Sequence, residues 1–178
     1  MSGNCVATRV RTSLAMQVTM ETARNPAQGE VCFYSQSPTH LLADVNGWFA
    51  AGASFTSVTP SRVFDTRPGE GGLRVVSKTK VGGGYVLRVK LTDLPGVVPA
   101  TGVGAVSMNV TVAQPDGGGY VTVFPCGVRP LASSLNYVPG QTVANAVIAP
   151  VSAQGEVCFY SQSPTHLLAD VNGWFAAA

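Results

Sequence analysis

Val106-Ser107-Met108-Asn109-Val110-Thr111-Val112 alternates apolar with polar side chains along its whole length. Successive side chains of a β-strand point to opposite faces, so this stretch predicts a strand with one dry and one wet face. Tyr85, Leu87, Val89 and Leu91 alternate with Val86, Arg88 and Lys90 in the same way. Further strand-like runs cover 61–66, 120–124, 133–138, 144–151, 156–160 and 165–175. Turn signals separate them: Arg67-Pro68-Gly69, Gly82-Gly83-Gly84, Pro115-Asp116-Gly117, Pro139-Gly140 and Gln154-Gly155. No stretch carries helical periodicity. About eight short strands with frequent turns predict an all-β fold, an antiparallel β-sandwich with a jelly roll as one form it can take.

The composition agrees. Among 178 residues, 46% are hydrophobic and only 11% charged, with 20 Gly and 12 Pro. Disordered chains are poor in apolar residues and rich in charge; this one suits strands punctuated by tight turns. A net charge of +2 gives no ground for expecting nucleic acid or an anionic membrane as partner. No apolar run approaches the roughly 20 residues of a membrane span.

One segment occurs twice. Residues 27–51 read AQGEVCFYSQSPTHLLADVNGWFAA, and residues 153–177 repeat those 25 letters 126 positions later. That period is longer than a solenoid or propeller repeat and has the size of a whole domain. The reading is therefore a complete β-sandwich unit over 52–178, preceded by the C-terminal half of another over 1–51. Leu14, Met16, Val18 and Met20 form a strand pattern in that half, placed by analogy where 146–151 lies in the full unit. A half unit cannot bury both faces of a sheet alone. It is expected to pack on the full domain, to stay poorly ordered, or to be completed in trans, which would propagate head-to-tail into a filament.

Four cysteines, Cys5, Cys32, Cys126 and Cys158, include the repeat equivalents Cys32 and Cys158, each with a partner upstream. The spacing suggests Cys5–Cys32 and Cys126–Cys158 disulfides, although four cysteines allow three pairings. No C-x-x-C pair or Cys/His cluster points to zinc, and no metal or cofactor is expected. Disulfides imply an oxidising compartment, hence an extracellular or cell-surface location. The opening MSGNCVATRVR lacks a signal-peptide pattern, so the export signal is expected outside this chain.

Ser61-Arg62-Val63-Phe64-Asp65-Thr66-Arg67-Pro68-Gly69 resembles the opening of a repeat domain common in secreted actinobacterial proteins. The resemblance continues through Asn109-Val110-Thr111, Gly119-Tyr120-Val121-Thr122-Val123, Pro125-Cys126-Gly127, Ser134-Leu135-Asn136-Tyr137 and Gly140-Gln141-Thr142. It closes on His166-Leu167-Leu168-Ala169-Asp170-Val171-Asn172-Gly173-Trp174-Phe175, which recurs at 40–49. It covers nearly all of 55–176, whereas 1–26 depart from it. The resemblance implies an extracellular accessory module, often in tandem or attached to cell-wall hydrolases and proteases, and supplies no catalytic residues.

Two groups are candidate sites. Arg62, Asp65 and Arg67 could clamp a ligand, since Arg presents a planar fork of donors. Alternatively they pair internally and fix the turn before Pro68-Gly69, the structural role preferred in a chain so short of charge. Strand alternation places His166, Leu168, Asp170, Asn172 and Trp174 on one face. His166 and Asp170 lie about 13 Å apart at 3.3 Å per residue, too far for a catalytic or metal pair. Trp174, Asp170 and Asn172, with the repeat equivalent Trp48, could form a saccharide-stacking surface. The competing reading pairs Asp170 with the Arg62/Arg67 segment and packs Trp174 inside; His166 is then structural. The two GGGYV stretches at 82–86 and 117–121 lack the Gly-Lys-Ser/Thr ending of a phosphate loop and read as turns. The sequon Asn109-Val110-Thr111 sits mid-strand. There is no G-x-S-x-G elbow, and the only histidines are His40 and His166.

The expected function is an extracellular structural or adhesive β-repeat module, not an enzyme. The alternatives are a carbohydrate or cell-wall binding module accessory to an enzyme, with Trp48, Trp174, Tyr85 and Tyr120 as exposed aromatics, and a self-assembling filament subunit completed through residues 1–51. Expected partners are cell-wall polysaccharide or copies of the chain itself.

Overall fold

The computed structural model describes residues 54–177, together with residues 20–21, 32–33 and 38. The described residues contain no helix and form ten strands: β1 (Met20–Glu21), β2 (Cys32–Phe33), β3 (Phe55–Asp65), β4 (Val86–Lys90), β5 (Val103–Ala113), β6 (Gly119–Pro125), β7 (Leu135–Tyr137), β8 (Val143–Pro150), β9 (Glu156–Ser161) and β10 (His166–Ala176). From β3 onward they make two four-stranded antiparallel sheets, ordered β3-β10-β5-β8 and β4-β9-β6-β7. This is the expected all-β sandwich. Successive strands change sheet at every connection except β6 to β7, the kind of winding a jelly roll requires.

The alternation in β5 does what it predicts. Val106, Met108, Val110 and Val112 are wholly buried, while Ser107 and Asn109 on the other face are only half-buried. Val63, Phe64, Val121, Val157, Phe159, Leu167, Ala169 and Val171 complete the layer between the sheets. Phe64 of one sheet meets Phe159 of the other edge-on, with centroids 5.0 Å apart and planes at 70°. Leu94 and Val98, joined by a backbone hydrogen bond of 2.9 Å, add two buried side chains from the segment between β4 and β5.

Two boundaries differ from expectation. β3 starts at Phe55, six residues before the predicted Ser61. Pro60 hides this extension, because proline reads against a strand. Here it is tolerated on an edge strand, inside a register shift where β10 advances from Val171 to Gly173 while β3 passes from Ser61 to Ser57. Tyr85, expected on the dry face, precedes β4 and is 71% exposed, its N–H donating to the Gly82 carbonyl in a turn.

Of the predicted strand Leu14–Met20, only Met20 falls among the described residues. Met20 and Glu21 pair with Phe33 and Cys32, the repeat equivalents of Phe159 and Cys158 in β9. At Met20–Glu21 this differs from β8, which pairs with β5 in the other sheet, and the remainder of the run lies outside the described residues.

Cys126, just past β6, is joined to Cys158 of β9, with Cα atoms 4.9 Å apart. Cys5 and the side chain of Cys32 lie outside the described residues, and so does the expected bridge between them. Reducing Cys126–Cys158 is expected to lower stability by roughly 2–4 kcal/mol, measured as denaturation midpoints with and without reductant. Phe159→Ala removes half of the intersheet ring pair and is expected to cost about 3–5 kcal/mol in a chemical denaturation curve.

Candidate functional site

Asp65 ends β3 with its side chain wholly buried. A buried carboxylate is costly unless paired and hydrogen-bonded, and this one is surrounded by donors. The Arg67 amide donates to Oδ1 at 2.9 Å, and its guanidinium reaches the carboxylate through Nη2 at 2.7 Å and Nε at 3.1 Å. Arg62 Nη1 donates to Oδ2 at 2.6 Å, and the remainder of the Arg62 fork binds Asp170, through Nε and through Nη2 at 3.4 Å. Lys78 caps the Asp65 main-chain carbonyl at 2.6 Å. The internal-pairing arrangement is thus the one present, extended across the sheet from β3 to β10.

Burial pushes the Asp65 carboxyl up, but the hydrogen bonds from Arg67 and the charges of Arg67 and Arg62 outweigh it and hold the group below its ordinary range. Its hydrogen bond to Asp65 in turn raises the Arg67 pKa. Next to this cluster His166 Nδ1 lies 3.1 Å from the Thr66 carbonyl, which makes it the donor there, and 3.2 Å from Thr66 Oγ1. The Leu167 amide donates to that hydroxyl at 2.9 Å. His166 therefore fixes the start of β10 against the end of β3.

The second candidate group is divided by a β-bulge. Along β10 the register against β5 runs Leu167↔Val112, Ala169↔Val110, Val171↔Met108, then Gly173↔Ser107 and Trp174↔Val106. Asn172 is the extra residue, and beyond it the two faces exchange. Asp170 stays on the outer face with Arg62. Trp174 instead pairs with the buried Val106 and packs against the core. The expectation that Asp170, Asn172 and Trp174 share one surface is corrected accordingly. Asn172 Oδ1 is buried and has no hydrogen-bond partner among the described residues. Trp48 lies outside the described residues. The available signal was Gly173, since glycine inside a strand marks a bulge or a close approach. A Cβ there would strike the Phe55 ring and stand 2.9 Å from the Thr56 carbonyl oxygen. Past the bulge, Trp174 lines an open groove of about 370 Å³ with Thr56, Ser57, Asp93 and Pro95.

A third feature escaped the sequence reading. Residues 126–134 fold back over the outer face of the β4-β9-β6-β7 sheet. Thr122 Oγ1 donates to the Ala132 carbonyl at 2.5 Å, Ser134 Oγ accepts from the Val123 amide at 3.0 Å, and Asn145 Nδ2 donates to the Ser134 carbonyl at 2.7 Å. The Arg129 guanidinium lies 4.0 Å above the Tyr160 ring and donates to Tyr120 Oη at 3.3 Å. Tyr120 and Tyr160 are 5.8 Å apart, centroid to centroid. Flanking Arg129, Val128 and Leu131 are 96% and 98% exposed. Arg129 and Tyr160 are distant in sequence, and the only hint of their meeting was the Cys126–Cys158 pairing beside them.

Among the described residues no three His, Cys, Asp or Glu side chains are grouped to hold a metal ion, and no helix is long and apolar enough to cross a membrane. Compared with protein-family models and with curated proteins, the chain matches none.

The Asp65 pKa is lowered in the fold. Its stabilisation is therefore complete above the unfolded value of about 4 and is lost as pH falls from there through the folded value. Asp65→Asn is expected to cost about 1–3 kcal/mol at neutral pH, because it removes charge-assisted hydrogen bonds while the two guanidinium groups stay partly hydrated and Arg62 keeps Asp170. The gap between wild-type and variant melting temperatures should narrow below about pH 4.

Proposed function

We propose that this chain is an extracellular or cell-surface structural and adhesive β-module without catalytic activity. The observation that carries this reading is the crest at 126–134. It is bonded to the sheet, tied at its base by Cys126–Cys158, and exposes Val128 and Leu131 almost completely. Ordered backbone that offers aliphatic side chains to solvent supports a contact surface, since burying them later costs little further ordering. The disulfide is compatible with an oxidising compartment. The charged cluster supports a structural role, because Asp65, Arg62, Arg67 and Asp170 bind one another. The partner class proposed is cell-wall polysaccharide, met by the crest together with Tyr120, Tyr160 and Arg129.

A second reading rests on the Trp174 groove. Trp174, Asp93, Thr56 and Ser57 border one depression, and aromatic residues beside polar ones suit a saccharide. The two readings separate by mutation. Val128→Asp with Leu131→Asp is expected to weaken co-sedimentation with purified cell wall about tenfold, or about 1.4 kcal/mol, without lowering the melting temperature. Asp93→Asn keeps a residue type that tolerates its positive φ of 60° and is expected to leave wall binding unchanged. The reverse pattern would move the site to the groove, and hydrolysis of wall, peptide or ester substrates by the purified chain would overturn the non-catalytic assignment.

A further inference from the structure

We infer that the sandwich has two interchangeable closing strand pairs, and that residues 27–51 can take the place of residues 153–177 within the same chain. The 25 residues of the duplicated segment contain all of β9 and β10 except their connections to the rest of the sandwich. β9 lies between β4 and β6, and β10 between β3 and β5, so together they fill one inner position in each sheet. Everything they contribute recurs upstream by identity. Val31, Phe33, Leu41, Ala43 and Val45 repeat the core residues Val157, Phe159, Leu167, Ala169 and Val171. Cys32 repeats the partner of Cys126, Asp44 the partner of Arg62, and His40 the partner of Thr66.

The connection fits as well. Phe175 is in register with Phe55, and the Ala176 amide donates to the Ser54 carbonyl at 2.9 Å. Their upstream equivalents, Phe49 and Ala50, stand immediately before Ser54, with only Ala51-Gly52-Ala53 between. Three residues including a glycine form a common β-hairpin loop. The upstream seating is therefore a circular permutant of the observed unit, with β3 joined to its neighbour by a hairpin instead of by most of the chain. Buried contacts are the same in both seatings, and the permuted one replaces a distant strand pairing with a local one, which closes faster. It is also synthesised first. In this structure the downstream strands hold the position, and Cys32–Phe33 pair with β1.

Gly173→Val tests the exchange in the full-length chain. The new side chain meets the Phe55 ring and the Thr56 carbonyl and evicts the downstream strands, while Gly47 leaves the upstream segment able to enter. The variant is refolded in glutathione buffer, where glutathione disulfide accepts the two electrons and two thiol protons released as each bridge forms. The expected result is a monomer with cooperative unfolding, in which a Cys126–Cys32 peptide replaces the Cys126–Cys158 peptide on mass-spectrometric mapping. Gly47→Val with Gly173→Val should abolish the cooperative transition. Three results would overturn the inference: Cys126–Cys158 retained in Gly173→Val, no cooperative transition in that single variant, or a dimer with Cys126–Cys32 between chains, which would place the exchange in trans. Wall binding reads the crest alone, so failure of the adhesive proposal and failure of the exchange are told apart.

Discussion

A carboxylate with no exposed surface has to be met by donors, and the demands of Asp65 organise one half of this molecule. Its donors come from the residue two places on and from a residue three places back, so the end of β3 is folded around its own charge. Because Arg62 also holds Asp170, the same cluster fixes β10 beside β3. His166 and Thr66 repeat that tie one position further along. The pairs carry little meaning as isolated surface salt bridges, but built on a buried carboxylate they become a condition for the sheet.

What the sequence made legible was local. Period-two alternation located all eight strands of the sandwich because each has a wet and a dry face or a buried run bounded by turns. The pairing of Arg62, Asp65 and Arg67 was legible for a different reason, since few charges leave few partners. Sheet order was not legible: strands that change sheet at nearly every step leave no trace in local pattern. Nor was the exchange of faces at Asn172, since one inserted residue reverses the meaning of every later position while the alternation continues unbroken. The shared surface of Asp170, Asn172 and Trp174 failed for that reason, whereas the competing reading, with Trp174 packed inside and Asp170 paired with Arg62, is the one present. The Arg129–Tyr160 contact required knowing which strands are neighbours, which only the tertiary fold provides.

The crest and the bulge show two ways of departing from a regular sheet. At the bulge, an added residue turns Trp174 inward and leaves the Asn172 amide oxygen buried with no partner among the described residues. At the crest, residues 126–134 leave the ladder between the end of β6 and β7, and side-chain hydrogen bonds and a disulfide hold them instead. The first departure shapes a depression and the second a projection, on opposite sheets.

The two ends of the sandwich also decide how it would answer a pull. Phe55 opens an edge strand, and its register partner Phe175 lies at the far end of the chain, in the strand alongside. Tension applied through these ends does not slide the two strands past each other, which would load many hydrogen bonds at once. It peels them apart one bond at a time, beginning where the Ala176 amide meets the Ser54 carbonyl. The peeling front then has to pass the Pro60 irregularity before it reaches the Arg62–Asp170 contact. A row of such units would lengthen under load by opening from these ends, with the charged cluster as the first firm stop.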